Sequence, residues 1–511
     1  MKELAGFYYD AEKNRYFPLK GPIPGSSSSS SKNNAQKPSS KPTQGINFCG
    51  RTRVRTSKLL QGRELNGNII DFNKGKCNFM EEVLKKQASQ PMVWKYQGTE
   101  KMADGALDQM HIHLQTPEGQ TEVDVLVTGG TDGSLSLFEV GKSGQQFHNG
   151  LQFIPDRVGP VIEETKAECS KTPERIWRPI GASLHMRSNI SCINLSGKHS
   201  PYAVGDGFSI QHGLITTLGS ETFGGSVCIL NILEPLDLYS STSIRQGMHV
   251  VTSFNCTIWT ADYNRNASQA VIGMYFFFRT DLGAALVNLE TGTATWVLRS
   301  KSDVLAQQLD QSGNVVLCGL RNGAIVTVDV REGSAREIRH RIPYSLLGRS
   351  RQNSSKQWFK LSGYIDPSCT WYMPSSICCL VSLQSYDQYF LSSSMDGSIR
   401  LYDHRMSKRG AIQSYEGHVN SHTRLQLEVD QSERFLMAGG EDCKFRLWSI
   451  KSGELLFEEK FSDAVLSTVC WQRPERCMRI PDENKSHEDC LSGLNNWGTW
   501  CGSQEGLFYM H

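Results

Sequence analysis

The sequence predicts an all-β protein: a seven-bladed β-propeller behind a mostly disordered N-terminal extension that contains a short helix. Three observations carry this reading. A ten-residue phrase recurs along the chain. The apolar pattern changes from a helical period to a period of two near residue 92. The recurring units span roughly 40–45 residues, the length of one four-stranded blade.

The phrase is clearest at 396–405, DGSIRLYDHR. Asp396 and Gly397 form a tight turn, because glycine supplies the positive φ such a turn needs without steric cost. A strand follows and closes on Asp403, His404 and Arg405. NGAIVTVDVR at 322–331 aligns with it without a gap, Asn322 on Asp396 and Arg331 on Arg405. DGSLSLFEV at 132–140 and DCKFRLWSI at 442–450 are looser copies.

Composition narrows the classes. The 511 residues carry a net charge of +2, so no global field favours nucleic acid or a membrane surface. The 46 glycines and 9% aromatics suit many short strands joined by tight turns. The 15 cysteines include no C-x-x-C pair, and MKELAGFYYD lacks a signal-peptide apolar run. Reduced thiols in the nucleus or cytoplasm, or both, are expected. The longest apolar run, AVIGMYFFF at 270–278, is too short to span a bilayer.

In chain order, residues 1–19 form an aromatic motif with Phe7, Tyr8, Tyr9, Tyr16 and Phe17. These rings either cover part of the protein's own main domain or anchor a partner. Residues 20–48, with six consecutive serines, read as a disordered linker. Residues 49–91 form a basic arm followed by a short helix over 78–87. Its apolar face is Phe79, Met80, Val83 and Leu84, with Asn78 and Glu81 as a capping box. The arm is either a solvated charged face or a phosphate- or import-directed segment. Residues 92–511 form the propeller. Its first period-two strands are MHIHLQ at 110–115 and EVDVLVTGG at 122–130, with 123–140 the first full hairpin, and the later units begin at Trp177, 256, 304, 377, 425 and 465, with irregular insertions at 334–375 and 472–496. The last unit stops at its third strand, and MVWKYQ at 92–97 is expected to supply the fourth and so close the ring.

Enzyme signatures are lacking. There is no H-E-x-x-H and no G-x-S-x-G, and Gly141-Lys142-Ser143 lacks the leading glycine of a phosphate loop. Cys470, Cys477, His487 and Cys490 match no standard zinc spacing. Cys378 and Cys379 read as core thiols on opposite faces of a strand. No catalytic residue, cofactor or metal is expected. His418 in YEGHVN, with Asp442 and Trp448, fits the hydrogen-bond network that fixes blade geometry in WD repeats, with Asp396 as the matching turn aspartate of the preceding unit. The serine or threonine that usually links such a network is absent, since 438–440 reads Ala-Gly-Gly.

The Asp-x-Arg pairs, Asp329 with Arg331 and Asp403 with Arg405, remain. At i and i+2 on a strand the two side chains share a face, so the carboxylate can orient the guanidinium fork. A salt bridge joining neighbouring blades is the plain alternative. Two copies at one place in consecutive units favour a docking role. The sixth unit has Ser449 and Lys451 there, and the first has Glu139 and Gly141.

Both pairs resemble the WD-x-R box of the WD-repeat substrate receptors of cullin-4 RING ubiquitin ligases, the cullin-4-associated factors. GFYYDAEKNRYF at 6–17, SDVLAQQ at 302–308, YEGHVN at 415–420 and EDCKFRLWS at 441–449 extend the likeness. The resemblance implies a non-catalytic receptor. Asp329, Arg331, Asp403 and Arg405 would meet the damage-specific DNA-binding protein adaptor, 78–87 would be a segment that also inserts there, and a protein substrate would bind the opposite face. The first box residue, usually Trp, is Val328 in one copy and Tyr402 in the other. A scaffold binding RNA or chromatin through its basic segments is the alternative.

Overall fold

The computed structural model describes residues 7–10, 15–18, 56–67, 69–72, 75–116, 119–141, 149–159, 172–195, 212–220, 224–231, 237–240, 242–264, 269–275, 282–300, 302–310, 312–331, 360–361, 370–472 and 498–511. The chain divides into two compact units, Met1–Leu60 and Gln61–His511.

In the first unit, Phe7–Asp10 and Arg15–Pro18 pair as an antiparallel hairpin. The aromatic motif therefore has strand backbone. The linker expected at 20–48 and the arginines 51, 53 and 55 lie outside the described residues. An 11-residue helix, α1 (Thr56–Asn66), occupies part of the stretch read as a basic arm.

The second unit is the propeller. Its inner strands adjoin in chain order around a ring: Ala106–Thr116, Ile190–Leu195, Thr257–Asn264, Val304–Leu309, Ile377–Ser382, Leu427–Val429 and Leu466–Trp471, with the last beside the first. Each opens one antiparallel blade. Seven clusters of buried apolar side chains fill the spaces between neighbouring blades. Burial of apolar area between blades, rather than within one, is what makes the ring a single core.

Closure follows the expected route. Val93–Tyr96 pairs with the third strand of blade 7, Gly506–Met510, in the register Leu507↔Tyr96 to Met510↔Val93. The first strand of the propeller thus completes the last blade, and the edge of Gly506–Met510 is covered. Pro155–Gly159 adds a fifth strand outside it.

Two unit boundaries differ from the sequence reading. Trp177 does not begin blade 2. It lies on Ile176–Pro179, which pairs with the third strand of blade 1, and its ring is buried there. Blade 2 begins at Ile190. The irregular insertion at 334–375 also contains structure: Thr370–Tyr372 is the fourth strand of blade 4, and Lys360–Leu361 extends blade 3. Trp371 is the reason, because its ring fills the space between blades 4 and 5.

The helix expected at 78–87 is α2, Phe79–Ala88. Asn78 caps it by accepting from the Met80 N–H at 2.9 Å. The reciprocal half of the capping box does not form, because Glu81 is engaged elsewhere. Among the described residues no helix is long and apolar enough to cross a membrane.

Candidate functional site

The third strands of blades 4 and 5 end at Asp329 and Asp403. Asp329 lies opposite Val315 and Asp403 opposite Tyr389, each at the start of the second strand of its blade. The next backbone N–H in each chain bonds the turn that leaves the inner strand: Val330 to the Asn314 carbonyl and His404 to the Gln388 carbonyl. Both Asp-x-Arg motifs therefore sit at the same end of neighbouring blades. We call this end the lower rim.

Their internal geometry is the same. Asp329 Oδ1 accepts from the Arg331 backbone N–H at 2.9 Å and from Nε at 3.1 Å, and Oδ2 accepts from Nη2 at 2.6 Å. In the second copy the distances are 2.8, 3.0 and 2.8 Å. Two parallel charge-assisted bonds and a backbone bond fix each guanidinium in plane and direction. These bonds hold the carboxyls of Asp329 and Asp403 below their usual range. They raise the Arg405 pKa in turn. Each aspartate holds the arginine of its own motif. Both arginine side chains are 64% exposed, while Asp403 is only 4% exposed. In the second pair a buried carboxylate holds an exposed guanidinium, the form of a presented group; in the first the carboxylate is 23% exposed.

The first box residue faces the other way. Val328 and Tyr402 are both buried between blades, and Tyr402 stacks on Phe390 with centroids 5.3 Å apart. Either an aliphatic or an aromatic side chain fills that space, so departure from Trp leaves the rim unchanged. His404 packs against Phe390 at 4.7 Å and against Trp371 of blade 4 at 5.9 Å, and burial lowers its pKa. The middle residue of the second motif thus helps to lock blade 5 against blade 4.

Sequence reasoning missed the apolar surroundings of Arg405. Tyr386 is 53% exposed and Met406 45%, and both lie on the turns of blade 5 at the lower rim. Tyr386 and Met406 occupy turns, where no periodicity marks them.

Blade 6 carries a different arrangement at the same rim. Lys451, at the position of the arginines, reaches the Glu81 carboxylate of α2 at 3.1 and 3.4 Å. Leu84 and Ala88 of that helix enter the apolar cluster between blades 6 and 7. The helix therefore docks beside the place where blades 4 and 5 present arginine. In blade 1 the matching Glu139 is fully buried.

The residues expected in a blade network are close but joined differently. His418 is buried, its Nε2 lies 3.0 Å from the Gly439 carbonyl, and its ring meets Trp448 edge-on at 6.3 Å. Trp448 Nε1 donates to the Glu416 carbonyl at 2.9 Å. Asp442 instead takes Arg446, whose Nη1 donates to Oδ1 at 2.9 Å and whose Nη2 donates to Oδ2. Arg446 is 2% exposed and also reaches Glu458 at 2.8 Å. Where the serine or threonine link is missing, a buried arginine holds the turn aspartate. Asp396 accepts from the Ser398 N–H and hydroxyl at 3.1 and 2.6 Å, which shapes the 396–397 turn. Burial raises the Asp396 carboxyl, but these bonds outweigh it and the pKa is lowered. Gly397 has φ +81°, and a Cβ there would stand 2.7 Å from the His418 carbonyl.

Of the four zinc-type residues weighed above, Cys470 is a buried thiol beside Asp108, and the other three lie outside the described residues. Cys378 is buried, and its thiol is pushed up to about 12 by burial.

Comparison with known proteins finds similarity to the DDB1- and CUL4-associated factor 4 group. Residues 359–460 match the family model described as the DDB1- and CUL4-associated factor 4 beta-propeller domain. The matched window contains Asp403 and Arg405 but not the first pair. DDB1- and CUL4-associated factor 4 of Homo sapiens is 32% identical over 157 residues, 31% of this chain and 26% of that protein. DDB1- and CUL4-associated factor 4-like protein 2 of Homo sapiens is 32% identical over 203 residues, 39% of this chain and 44% of that protein. An uncharacterized WD repeat-containing protein of Caenorhabditis elegans is 25% identical over 222 residues, 42% of this chain and 34% of that protein. The alignments thus span between about a quarter and under half of these relatives' lengths.

Proposed function

We propose that this chain, a WD-repeat propeller resembling DDB1- and CUL4-associated factor 4, is a non-catalytic substrate-recognition subunit of a cullin-4 RING ubiquitin ligase. It docks on the adaptor DDB1 through its lower rim and works in the nucleus, the cytoplasm or both. The relatives' names record association with DDB1 and CUL4. The observation that carries the reading is the pair of identical, carboxylate-held guanidiniums at one rim of blades 4 and 5. Arginine held flat at the edge of an apolar patch is the residue type that protein interfaces use as an anchor. Arg331 and Arg405 contact the adaptor, Asp329 and Asp403 orient them, and ubiquitin transfer takes place on other subunits. Helix α2, docked on blade 6 at the same rim, lies where it would extend that surface.

Co-purification from cells tests this. Tagged wild-type chain is expected to retain DDB1, and the Arg331→Ala, Arg405→Ala double variant to lose it while keeping the wild-type melting temperature. Equal retention by a folded double variant would remove the arginines from the role.

A further inference from the structure

The propeller encloses a cavity of about 770 Å³ lined by the inner strands of all seven blades. Among the described residues a single cationic side chain lines it, Arg424. Arg424 lies just ahead of the inner strand of blade 6, at the end of the ring that carries the 396–397 turn, opposite to Arg331 and Arg405. Its Nη1 crosses to the Ser191 carbonyl of blade 2, and its guanidinium lies 6.0 Å from the ring centroid of Trp259 in blade 3. The residue remains partly accessible. Burial lowers its pKa, and the thiols of Cys192, Cys378 and Cys379 stand near it.

Five carboxylates line the channel, and three of them, Asp104, Asp108 and Asp262, are held by groups other than Arg424. Asp104 takes the Thr131 N–H and hydroxyl at 2.9 and 2.8 Å. Asp108 takes the Leu195 N–H at 2.7 Å, and Asp262 takes the Leu309 N–H at 2.8 Å. Leu195 and Leu309 end their inner strands, so Asp108 and Asp262 lie toward the lower end. Asp104, just ahead of the inner strand of blade 1, and Asp463, just ahead of that of blade 7 and paired with Lys460 at 2.9 Å, stand toward the same upper end as Arg424, each held by groups of its own. A half-buried guanidinium whose partners are a carbonyl and a ring lacks the counter-charge that an arriving anion supplies.

We propose that the upper mouth of the channel receives a carboxylate carried on a peptide, with Arg424 as its counter-ion and Trp259 as one wall. The inner strands surround the cavity, so a chain end or a projecting side chain enters more readily than a continuous strand. Both supply a carboxylate. One cation among several carboxylates disfavours a nucleic-acid backbone, which needs several cations in a row. The site faces away from the lower rim and stands whether or not the arginine pairs hold the adaptor.

Selection from two random heptapeptide libraries tests it, one with free C-termini and one tethered through the C-terminus. Wild-type full chain is expected to enrich carboxylates. Enrichment of Asp and Glu in both libraries assigns side chains, and recovery from the free-terminus library alone assigns the terminal carboxylate. Affinity for the recovered peptides is expected to fall about 10- to 100-fold in Arg424→Gln, the range for removing a charged hydrogen-bond partner. Arg424→Lys should keep the preference, which separates charge from folding, and DDB1 retention should be unchanged in both variants. The proposal is overturned if wild type shows no carboxylate preference, or if folded Arg424→Gln binds the peptides equally. Arg424-dependent capture of a random 40-mer RNA pool at physiological salt would also overturn it.

Discussion

The buried arginine of blade 6 makes an unequal prediction for its two sides. Arg446 is 2% exposed, whereas its partners Asp442 and Glu458 are 27% and 32% exposed. Replacing Arg446 by Met removes the buried charge, fills most of its volume, and leaves two carboxylates that regain water. The expected loss is within about 1 kcal/mol. Replacing Asp442 by Ala strands the guanidinium with Glu458 alone. Breaking a fully buried pair costs about 3–5 kcal/mol, and the remaining partner and partial exposure reduce this to about 2 kcal/mol. The double variant Arg446→Met, Asp442→Ala should therefore be no less stable than Asp442→Ala alone, a coupling that additivity would not give. Thermal melting of the three variants under one buffer reads the order directly. A melting temperature for Arg446→Met below that of Asp442→Ala would refute the reasoning that stranding this buried charge costs more than removing it.

Three further outcomes follow from the geometry. Glu441 accepts from the Ser421 hydroxyl, from the Thr423 hydroxyl and from the His422 and Thr423 N–H groups. Burial raises its carboxyl, but these bonds win and lower it to about 2. Its contribution to stability is present above the ordinary glutamate value and is lost as pH falls toward about 2, so Glu441→Gln should flatten the acid limb of the melting-temperature profile. Lys451→Glu should raise hydrogen exchange in α2 a few-fold, in keeping with about 1 kcal/mol or less for an exposed pair, and adding Glu81→Lys should restore protection. Deleting residues 92–97 should leave Gly506–Met510 as an open edge, and size-exclusion chromatography should then show aggregates in place of the single species.

How much of this could be read from the chain depended on the kind of signal. Strand alternation and the Asp-Gly turns repeat, and they gave the blades and the closure by Val93–Tyr96. The Asp-x-Arg pairs were legible because two gapless copies align them. Trp177 was misplaced because an outer strand has no phrase of its own, and its pairing with blade 1 depends on contacts distant in sequence. Thr370–Tyr372 was taken into an insertion because three residues carry too little period, although Trp371 does the packing. Helix α1 was missed because its apolar residues do not gather on one face: Leu59 is buried, whereas Leu60 and Leu65 are exposed. Arg446, on a strand, and Arg424, in the loop ahead of one, were passed over because arginine at either place normally points to solvent. Only the assembled ring turns the first toward Asp442 and carries the second across the channel.

Site-specific photo-crosslinking tests the central claim most directly. A photoreactive amino acid at Met406, beside Arg405 on the lower rim, is expected to form an adduct with DDB1, and one at Val419, exposed at the opposite end, is expected to form none. An adduct from Val419, or none from Met406 in a chain that still retains DDB1, would contradict the account.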